Sequence, residues 1–548
     1  MRRKPLSFFE EQYNSAVASR DKLLLKTAVC LGIGAIFGLL VFLELPRLAL
    51  AILQLIFSGF LWAVCNDEMT GGLRAFLKLR PSTDSFNALG LVGLSAHAVY
   101  MMVASSPADK HFIGFVLYLS IALSMGMKYL YVLQIIKNLD LIRDKKTYAL
   151  QVTDLSLSKK YIRQVCSANP VVDFPNVVRT SYDSDPFAKK NRSFIPLVTL
   201  GVIGVSVIVA LIHKGSFLVS LSALLCICGG FSAELSFVLP YVMMQIRLRK
   251  MGSILLGNYS VEHLKETDTL LVKDTDLFPP ENNEVLNFNI RNNAMAKEAV
   301  NYTAALLNIS ESPLEEAFCR AFPDLPQRKP TVLQWRVIKN YGIVATVDID
   351  NVLMGNRNLL LSHNVQPWSA EKEAMLTAAG VHLLYVVING RIAATMVCRY
   401  REDPELKKSA ELLGGDFNLL VDTKDCNVNE NMIQRKYDLS HTKISVPDPD
   451  EAESVVETRE ELEEDQSPPV MLSTQNALGI LESIRRAKQL HQSVNLCLTI
   501  QQLSTLFGLF LTVVGMLISP GNLSWIWFLG FNVLWALPAV AISLFKKD

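Results

Sequence analysis

Residues 268–278 read Asp268-Thr269-Leu270-Leu271-Val272-Lys273-Asp274-Thr275-Asp276-Leu277-Phe278. A short apolar run gives way at once to a lysine and two carboxylates. The placement of this stretch makes it informative. It stands early in a long polar insert, residues 244–493, which separates a sixth strongly apolar run from a seventh.

Outward from that insert the chain is a membrane protein. Of its 548 residues 50% are hydrophobic and only 19% charged, too apolar a balance for an ordinary soluble enzyme. The net charge of +1 gives no basic field of the kind that nucleic acid selects. The nine cysteines are scattered, several inside apolar runs, and read as reduced thiols rather than a disulfide framework. A spanning helix needs about 20 apolar residues. Runs of that order cover residues 27–45, 47–65, 87–105, 112–136, 194–213, 216–243, 494–518 and 524–545. They pair through short connectors, as helical hairpins do. Lys and Arg gather in the N-terminal tail, in 137–193 and at Arg247, Arg249 and Lys250, whereas the short connectors carry only Lys110 and Lys214. By the positive-inside rule both termini and both large loops face the cytoplasm. The expectation is a multi-pass protein of the cell (plasma) membrane, with no removable signal peptide over Met1 to Lys26.

The plan of four spans, a modest loop, two spans, a large insert and two spans resembles the heavy-metal (soft-metal) transporting P-type ATPases. The resemblance extends to motifs. Gly71-Gly72 after the second span sits where the family kinks a helix into an amphipathic platform, and paired glycines permit such a kink. Gly252-Ser253-Ile254-Leu255-Leu256 and 268–278 resemble the family's approach to its phosphorylated aspartate, which a buried strand presents at its carboxyl end, over the ligand crevice of an open α/β sheet. Aligned without a gap, Lys273 takes the nucleophile's place, and an ammonium cannot form an aspartyl phosphate. A slip of one residue puts Asp274 there. Asp274 and Asp276 then form the D-x-D pair of the wider haloacid-dehalogenase superfamily, nucleophile and acid/base, but a slip reverses which face each side chain takes.

Ser310-Glu311-Ser312-Pro313-Leu314 matches the family's S-E-H-P-L, with Ser312 in place of the histidine that contacts adenine. Gly342, with Asn340 in place of a partner glycine, stands at the family's Gly-x-Gly. Val352-Leu353-Met354-Gly355-Asn356-Arg357 resembles V-L-V-G-N-R. Asn389-Gly390 is a strong hairpin signal. Asp403-Pro404 with Lys407 and Lys408 resembles D-P-L-K-P. Phe417 through Thr423-Lys424-Asp425 sits where the family has a strand ending in T-G-D, and a lysine replacing that glycine should obstruct phosphate. The family's Mg²⁺ loop, G-D-G-x-N-D-x-P, has no counterpart. The acidic segment 447–469 stands there and reads as a solvated helix or linker. Nor does 137–193 contain the actuator's T-G-E.

In the sixth span Cys226-Ile227-Cys228 stands near the family's Cys-Pro-Cys, whose thiolates bind soft cations. Ungapped counting from Gly252 instead aligns that motif with Gly229-Gly230-Phe231. Glu234 lies six residues past Cys228, and a carboxylate inside an apolar span usually faces a bundle interior. It reads equally as a proton or cation site and as a structural hydrogen-bond partner, with Asn495 and Cys497 as candidate neighbours.

The resemblance implies an α-helical membrane protein of eight transmembrane helices. It carries an α/β haloacid-dehalogenase-like cytoplasmic domain with an inserted α+β nucleotide-binding-like domain. The division is 1–26 cytoplasmic tail, 27–136 four spans with the platform at 71–72, 137–193 reduced actuator-like loop and 194–243 spans five and six. Residues 244–299 and 396–493 form a degenerate phosphorylation-like domain around a nucleotide-binding-like domain, 300–395, and 494–548 spans seven and eight. Altered parts in each motif imply a pseudo-pump, with a regulatory, sensing or accessory role in cation transport, lodged in the lipid bilayer beside a transporter subunit or regulatory protein. Phosphoryl transfer rests on positioning and electrostatics, so joint loss of several parts should abolish it. Two alternatives stand beside this. One is an active ATP-driven heavy-metal pump using Asp274, which would require ATP and Mg²⁺. The other is a membrane-bound phosphohydrolase using Asp274 and Asp276. The implied site residues are Asp274, Asp276, Thr423 and Asp425 for chemistry. Ser312, Gly342, Gly355 and Asn356 are implied for nucleotide, and Cys226, Cys228 and Glu234 for a soft-metal cation.

Overall fold

The computed structural model describes residues 6–43, 45–103, 113–144, 148–157, 160–170, 175–182, 185–213, 217–267, 269–323, 330–377, 380–404, 407, 418–439, 442–448, 451, 455, 469–474, 479–518 and 525–545. Most of the acidic segment 447–469, with Lys408, Phe417 and the short connectors, lies outside them. The chain forms two compact units. One comprises 1–146, 172–265 and 486–548, the other 147–171 and 266–485.

The first unit is helical. Its elements are α1 (Leu6–Phe42), α2 (Arg47–Val64), α3 (Asn66–Leu77), α4 (Thr83–Val103), α5 (Gly114–Asp144), the short α6 (Pro175–Thr180) and α7 (Pro186–Asn191), α8 (Phe194–His213), α9 (Phe217–Cys228) and α10 (Phe231–Lys250). The strand β3 (Ser253–Leu255) and α11 (Gly257–Leu264) follow α10. Among the described residues eight helical segments are long and apolar enough to cross a membrane, α9 and α10 together making the sixth and the two C-terminal helices the last pair. Five of them extend beyond the apolar runs; α1, for example, begins before its run and α5 continues past its own as polar helix.

The platform expectation is corrected here. Gly71 and Gly72 lie inside the continuous helix α3, and the break falls earlier, at Cys65 (φ −104°, ψ 33°), between α2 and α3. Gly72 instead permits close approach: a Cβ there would meet the Asp84 backbone at 2.6 Å, and its carbonyl accepts a hydrogen bond from Ser85.

The second unit is built on two sheets. Its elements are β1 (Tyr148–Leu157), β2 (Lys160–Pro170), β4 (Thr269–Lys273), α12 (Asp274–Leu277), β5 (Glu284–Ile290), α13 (Ala296–Ile309) and α14 (Glu315–Ala321). Next come β6 (Val332–Ile338), β7 (Gly342–Val347), β8 (Asp350–Gly355), α15 (Arg357–Ser362), α16 (Ala370–Thr377), β9 (His382–Ile388), β10 (Arg391–Arg399) and β11 (Asn418–Asp422). The series closes with α17 (Glu430–Tyr437), β12 (Lys443–Ser445) and β13 (Met471–Ser473), before the long α18 (Gly479–Ile518) and α19 (Trp525–Phe545).

Strands β12, β11 and β4 run parallel side by side. The β1–β2 hairpin lies along the other side of β4, and β13 pairs beyond it. This corrects the reduced actuator-like loop. The strands from 137–193 do not form a body of their own but complete the sheet that carries Thr269–Lys273. The inserted domain is a six-stranded sheet ordered β5-β10-β9-β8-β7-β6. It begins at Glu284, earlier than the 300 expected, because β5 pairs with β10. Leu353, Leu359, Leu360, Tyr385 and Val387 fill its core.

Candidate phosphoryl and membrane sites

Strand β4 ends on Lys273, beside Asp422 at the end of β11. The next residues open α12, and Lys273 is its N-cap. The side chain of Asp276 accepts from the Lys273 backbone N–H at 3.0 Å, so this carboxylate caps the helix that follows the strand. Lys273 turns outward and reaches Glu311 at 3.4 Å. Asp274 turns inward and is buried. Thr423 donates its hydroxyl to Asp274 at 2.6 Å and accepts from the backbone N–H of Asp425. Lys273, Asp274, Thr275, Asp422, Thr423 and Lys424 line one cavity. Even with its open mouth that cavity measures about 270 Å³, below the roughly 300–1,000 Å³ of ligand pockets. Burial pushes the Asp274 carboxyl well above the usual carboxylate range, with Asp425 and Asp422 adding to the rise and the Thr423 hydrogen bond opposing it.

A second cavity, about 240 Å³, is lined by Ser312, Gly342, Met354, Lys424 and Asp425 among others. Here polar groups meet each other. Asp425 accepts from Ser312 at 3.0 Å, from Tyr400 at 2.7 Å and from the Asn427 backbone at 3.0 Å. The Lys424 ammonium lies 5.4 Å from the ring centre of Trp335, a cation–π distance. Gly342 and Gly355 face each other across β7 and β8. A Cβ on Gly355 would meet the Tyr341 carbonyl at 2.2 Å, and Gly342 has φ +143°, so the strand pairing itself requires both glycines. Asn356 caps α15, accepting from the Asn358 and Leu359 N–H groups, and donates to the Asn340 carbonyl at 2.6 Å.

In the membrane unit Cys226 and Cys228 lie buried in the last turn of α9. Among the described residues no group of three or more His, Cys, Asp or Glu could hold a metal ion. The helix breaks at Gly229-Gly230, where Ser120 donates to the Gly229 carbonyl at 2.6 Å and Phe231 N–H donates to Asn532 at 3.1 Å. Glu234 opens α10, buried, and accepts from Asn87 of α4 at 2.9 Å. The anticipated neighbours are elsewhere: Asn495 accepts from Lys190, and Cys497 packs with Leu235 and Ala539. Sequence reading missed the ion pair beside Glu234, in which Lys128 meets both oxygens of Asp84 at 2.7 and 2.6 Å. The signal was there, since Lys128 is an ionisable residue inside an apolar run, as Glu234 is.

No protein-family model matches the chain. A copper-exporting P-type ATPase of Staphylococcus haemolyticus (strain JCSC1435) is 20% identical over 274 residues, 49% of this chain. The match takes in only 34% of that protein, about a third of its length. Among solved structures, a zinc-transporting PIB-type ATPase in its E2·Pi state aligns over 95% of this chain and 100% of its own at 14% identity, TM-score 0.49. The catalytic domain of a CPx-ATPase aligns over 40% of this chain and 75% of its own at 16% identity, TM-score 0.25. The sequence match falls on a chain that has, among the described residues, eight helical segments long and apolar enough to cross a membrane, and over about half of its length the chain is similar to a heavy-metal P-type ATPase.

Proposed function

We propose that this protein is a membrane-embedded pseudo-pump, with a regulatory, sensing or accessory role in cation transport. One observation carries the reading: the groups that would meet phosphate and nucleotide are engaged with one another. Thr423 is bonded to Asp274 and Ser312 to Asp425, while Lys424 lines both cavities. A carboxyl whose pKa burial raises is held toward its protonated, non-nucleophilic form. The Lys and Arg distribution supports cytoplasmic termini; the membrane would be the cell membrane, and the partner a transporter subunit or regulatory protein.

An active pump or a phosphohydrolase is the second reading. It is favoured by the finding that Asp274, not Lys273, meets Thr423. In that case Asp274 attacks phosphorus, and ATP with Mg²⁺ supplies the phosphoryl group to a pump that moves a soft cation past Cys226 and Cys228.

Full-length protein in detergent, given γ-labelled ATP and Mg²⁺, separates the two. The pseudo-pump forms no acid-stable phosphoenzyme and shows no nucleotide-dependent thermal shift at millimolar ATP. A phosphoenzyme that disappears in Asp274→Asn overturns the proposal in favour of the pump. Release of phosphate from a small phosphoester, without ATP or ion dependence, overturns it in favour of the phosphohydrolase.

A further inference from the structure

Positive charge collects at one end of the membrane unit with nothing acidic beside it in sequence. Over 235–250, 483–518 and 525–545 the chain holds Arg247, Arg249, Lys250, Arg485, Arg486 and Lys488, and no Asp or Glu. These residues stand in the last turn of α10 and near the start of α18. Arg249 turns inward to Gln134 and Asn138 of α5, whereas Lys250 is exposed.

Between α10, α18 and α19 at this end lies a cavity of about 320 Å³, its open mouth included, at the lower end of the range for ligand pockets. Along α10 its lining passes from cation to apolar, from Arg247 to Met244 to Pro240, each one turn from the next. Gln489 and Leu490 line it from α18, and Ile542 from α19. Gln489 stands one turn past Arg486 on the same helix face. The hydroxyls that also line it, Ser493 and Ser543, donate back to their own helices, to the carbonyls of Gln489 at 2.9 Å and Ala539 at 2.7 Å. Arg247 is therefore, among the described residues, the charged group of this lining. It donates to the Leu544 carbonyl at 3.5 Å, and a guanidinium with five N–H donors serves that carbonyl and an anion together. Ile246, Leu496 and Leu544, next to or one turn from lining residues, are exposed apolar side chains, as apolar as the lipid tails that would cover them.

We propose that this cavity binds the headgroup of an anionic phospholipid, with Arg247 as its charged contact and Gln489 as an amide donor beside it. Basic pockets between spans, at the end where Lys and Arg collect, take such headgroups. A planar guanidinium meets two phosphate oxygens at once, and the apolar wall of Met244, Pro240 and Leu490 suits the glycerol end of the same molecule. The acyl chains then lie on the exposed apolar surface around Leu496. No bond is made or broken: water and a counterion at Arg247 are exchanged for phosphate oxygens. A zwitterionic lipid carries the same phosphate, but its ammonium meets like charge from Lys250 and Arg486, so the net anion is preferred. The inference is independent of whether Asp274 is phosphorylated.

Native mass spectrometry of the full-length protein, released from mixed micelles holding phosphatidylglycerol and phosphatidylcholine in equal amounts, tests this. Expected is retention of phosphatidylglycerol in preference to phosphatidylcholine. Arg247→Gln should lower that preference by about fivefold, the worth of one cation against an anionic lipid. Gln489→Glu sets a like charge beside the headgroup, should lower the preference too, and serves if Arg247→Gln does not fold. Lys250→Gln removes an exposed cation that does not line the cavity and should change the preference far less. Equal retention of the two lipids overturns the proposal, as does a preference unmoved by Arg247→Gln or, where that chain does not fold, by Gln489→Glu. A loss in Lys250→Gln as large as in the cavity variants overturns it in favour of diffuse surface charge. Displacement of the retained phosphatidylglycerol by an equal concentration of inorganic phosphate overturns it in favour of a small-anion site.

Discussion

The Thr423 hydroxyl donates to the buried Asp274 carboxyl at 2.6 Å, joining the ends of two neighbouring parallel strands. The bond fixes which of two adjacent residues faces the interior: Asp274 does, and Lys273 faces out. Because burial raises the Asp274 pKa, the linkage sign is definite. The stability this carboxyl contributes is fully present below its unfolded pKa, about 3.9. It is lost as pH rises through the higher folded value. Asp274→Asn should therefore leave stability nearly unchanged near pH 4 and raise it at neutral pH, by about 1–3 kcal/mol, the desolvation penalty of such a group. Hydrogen exchange over Thr269–Lys273, measured across that pH range, checks it. Equal protection of both forms at neutral pH would sink the claim.

Gly342 and Gly355 give a different outcome from that expected of nucleotide contacts. A Cβ on either would collide with backbone across β7 and β8. Gly355→Ala should destabilise the six-stranded sheet by about 1–3 kcal/mol, the usual penalty of overpacking, with or without nucleotide. Gly390, at φ +77° with open space around it, should lose only about 1–2 kcal/mol on substitution by Ala, from backbone strain. Thermal unfolding in the absence of ATP distinguishes a structural from a ligand-contact role.

The Lys273–Glu311 pair spans 3.4 Å with both side chains substantially exposed. Exposed pairs contribute about 0–1 kcal/mol. Lys273→Ala should shift the melting temperature by no more than a degree or two, and added salt should erase the difference. A larger, salt-resistant loss would show that Lys273 has a structural role beyond this pair.

How much of this was legible in the sequence follows from the range of each interaction. The spans could be read because a bilayer demands a long apolar run wherever it is crossed. The β9–β10 hairpin could be read because Asn389 and Gly390 both take positive φ, 48° and 77°, as a type I′ turn requires. The break at Cys65 could not, since packing of α4 against Gly72 holds α3 straight through its glycines. Nor could the pairing of β2 with β4, which joins Val165 to Thr269. Glu234 could be singled out by its charge, but its partner Asn87 lies 147 residues away, beyond any local pattern.

The Asp84–Lys128 pair yields the last prediction. Breaking a buried pair by removing one partner is strongly destabilising, by about 3–5 kcal/mol, because the other charge is left uncompensated. Here the Lys128 side chain is 30% exposed and Asp84's 13%, so the loss should fall toward or below the lower end of that range. Lys128→Met and Asp84→Leu should each lower the thermal stability of the detergent-solubilised chain. The double variant should recover much of the loss, since no lone charge then remains. Read as a double-mutant cycle, the coupling should exceed about 1 kcal/mol, above the ordinary additivity error of ~0.5 kcal/mol. Additive losses would mean that the two side chains act separately, and that the neutral pair beside Glu234 does not operate as a unit.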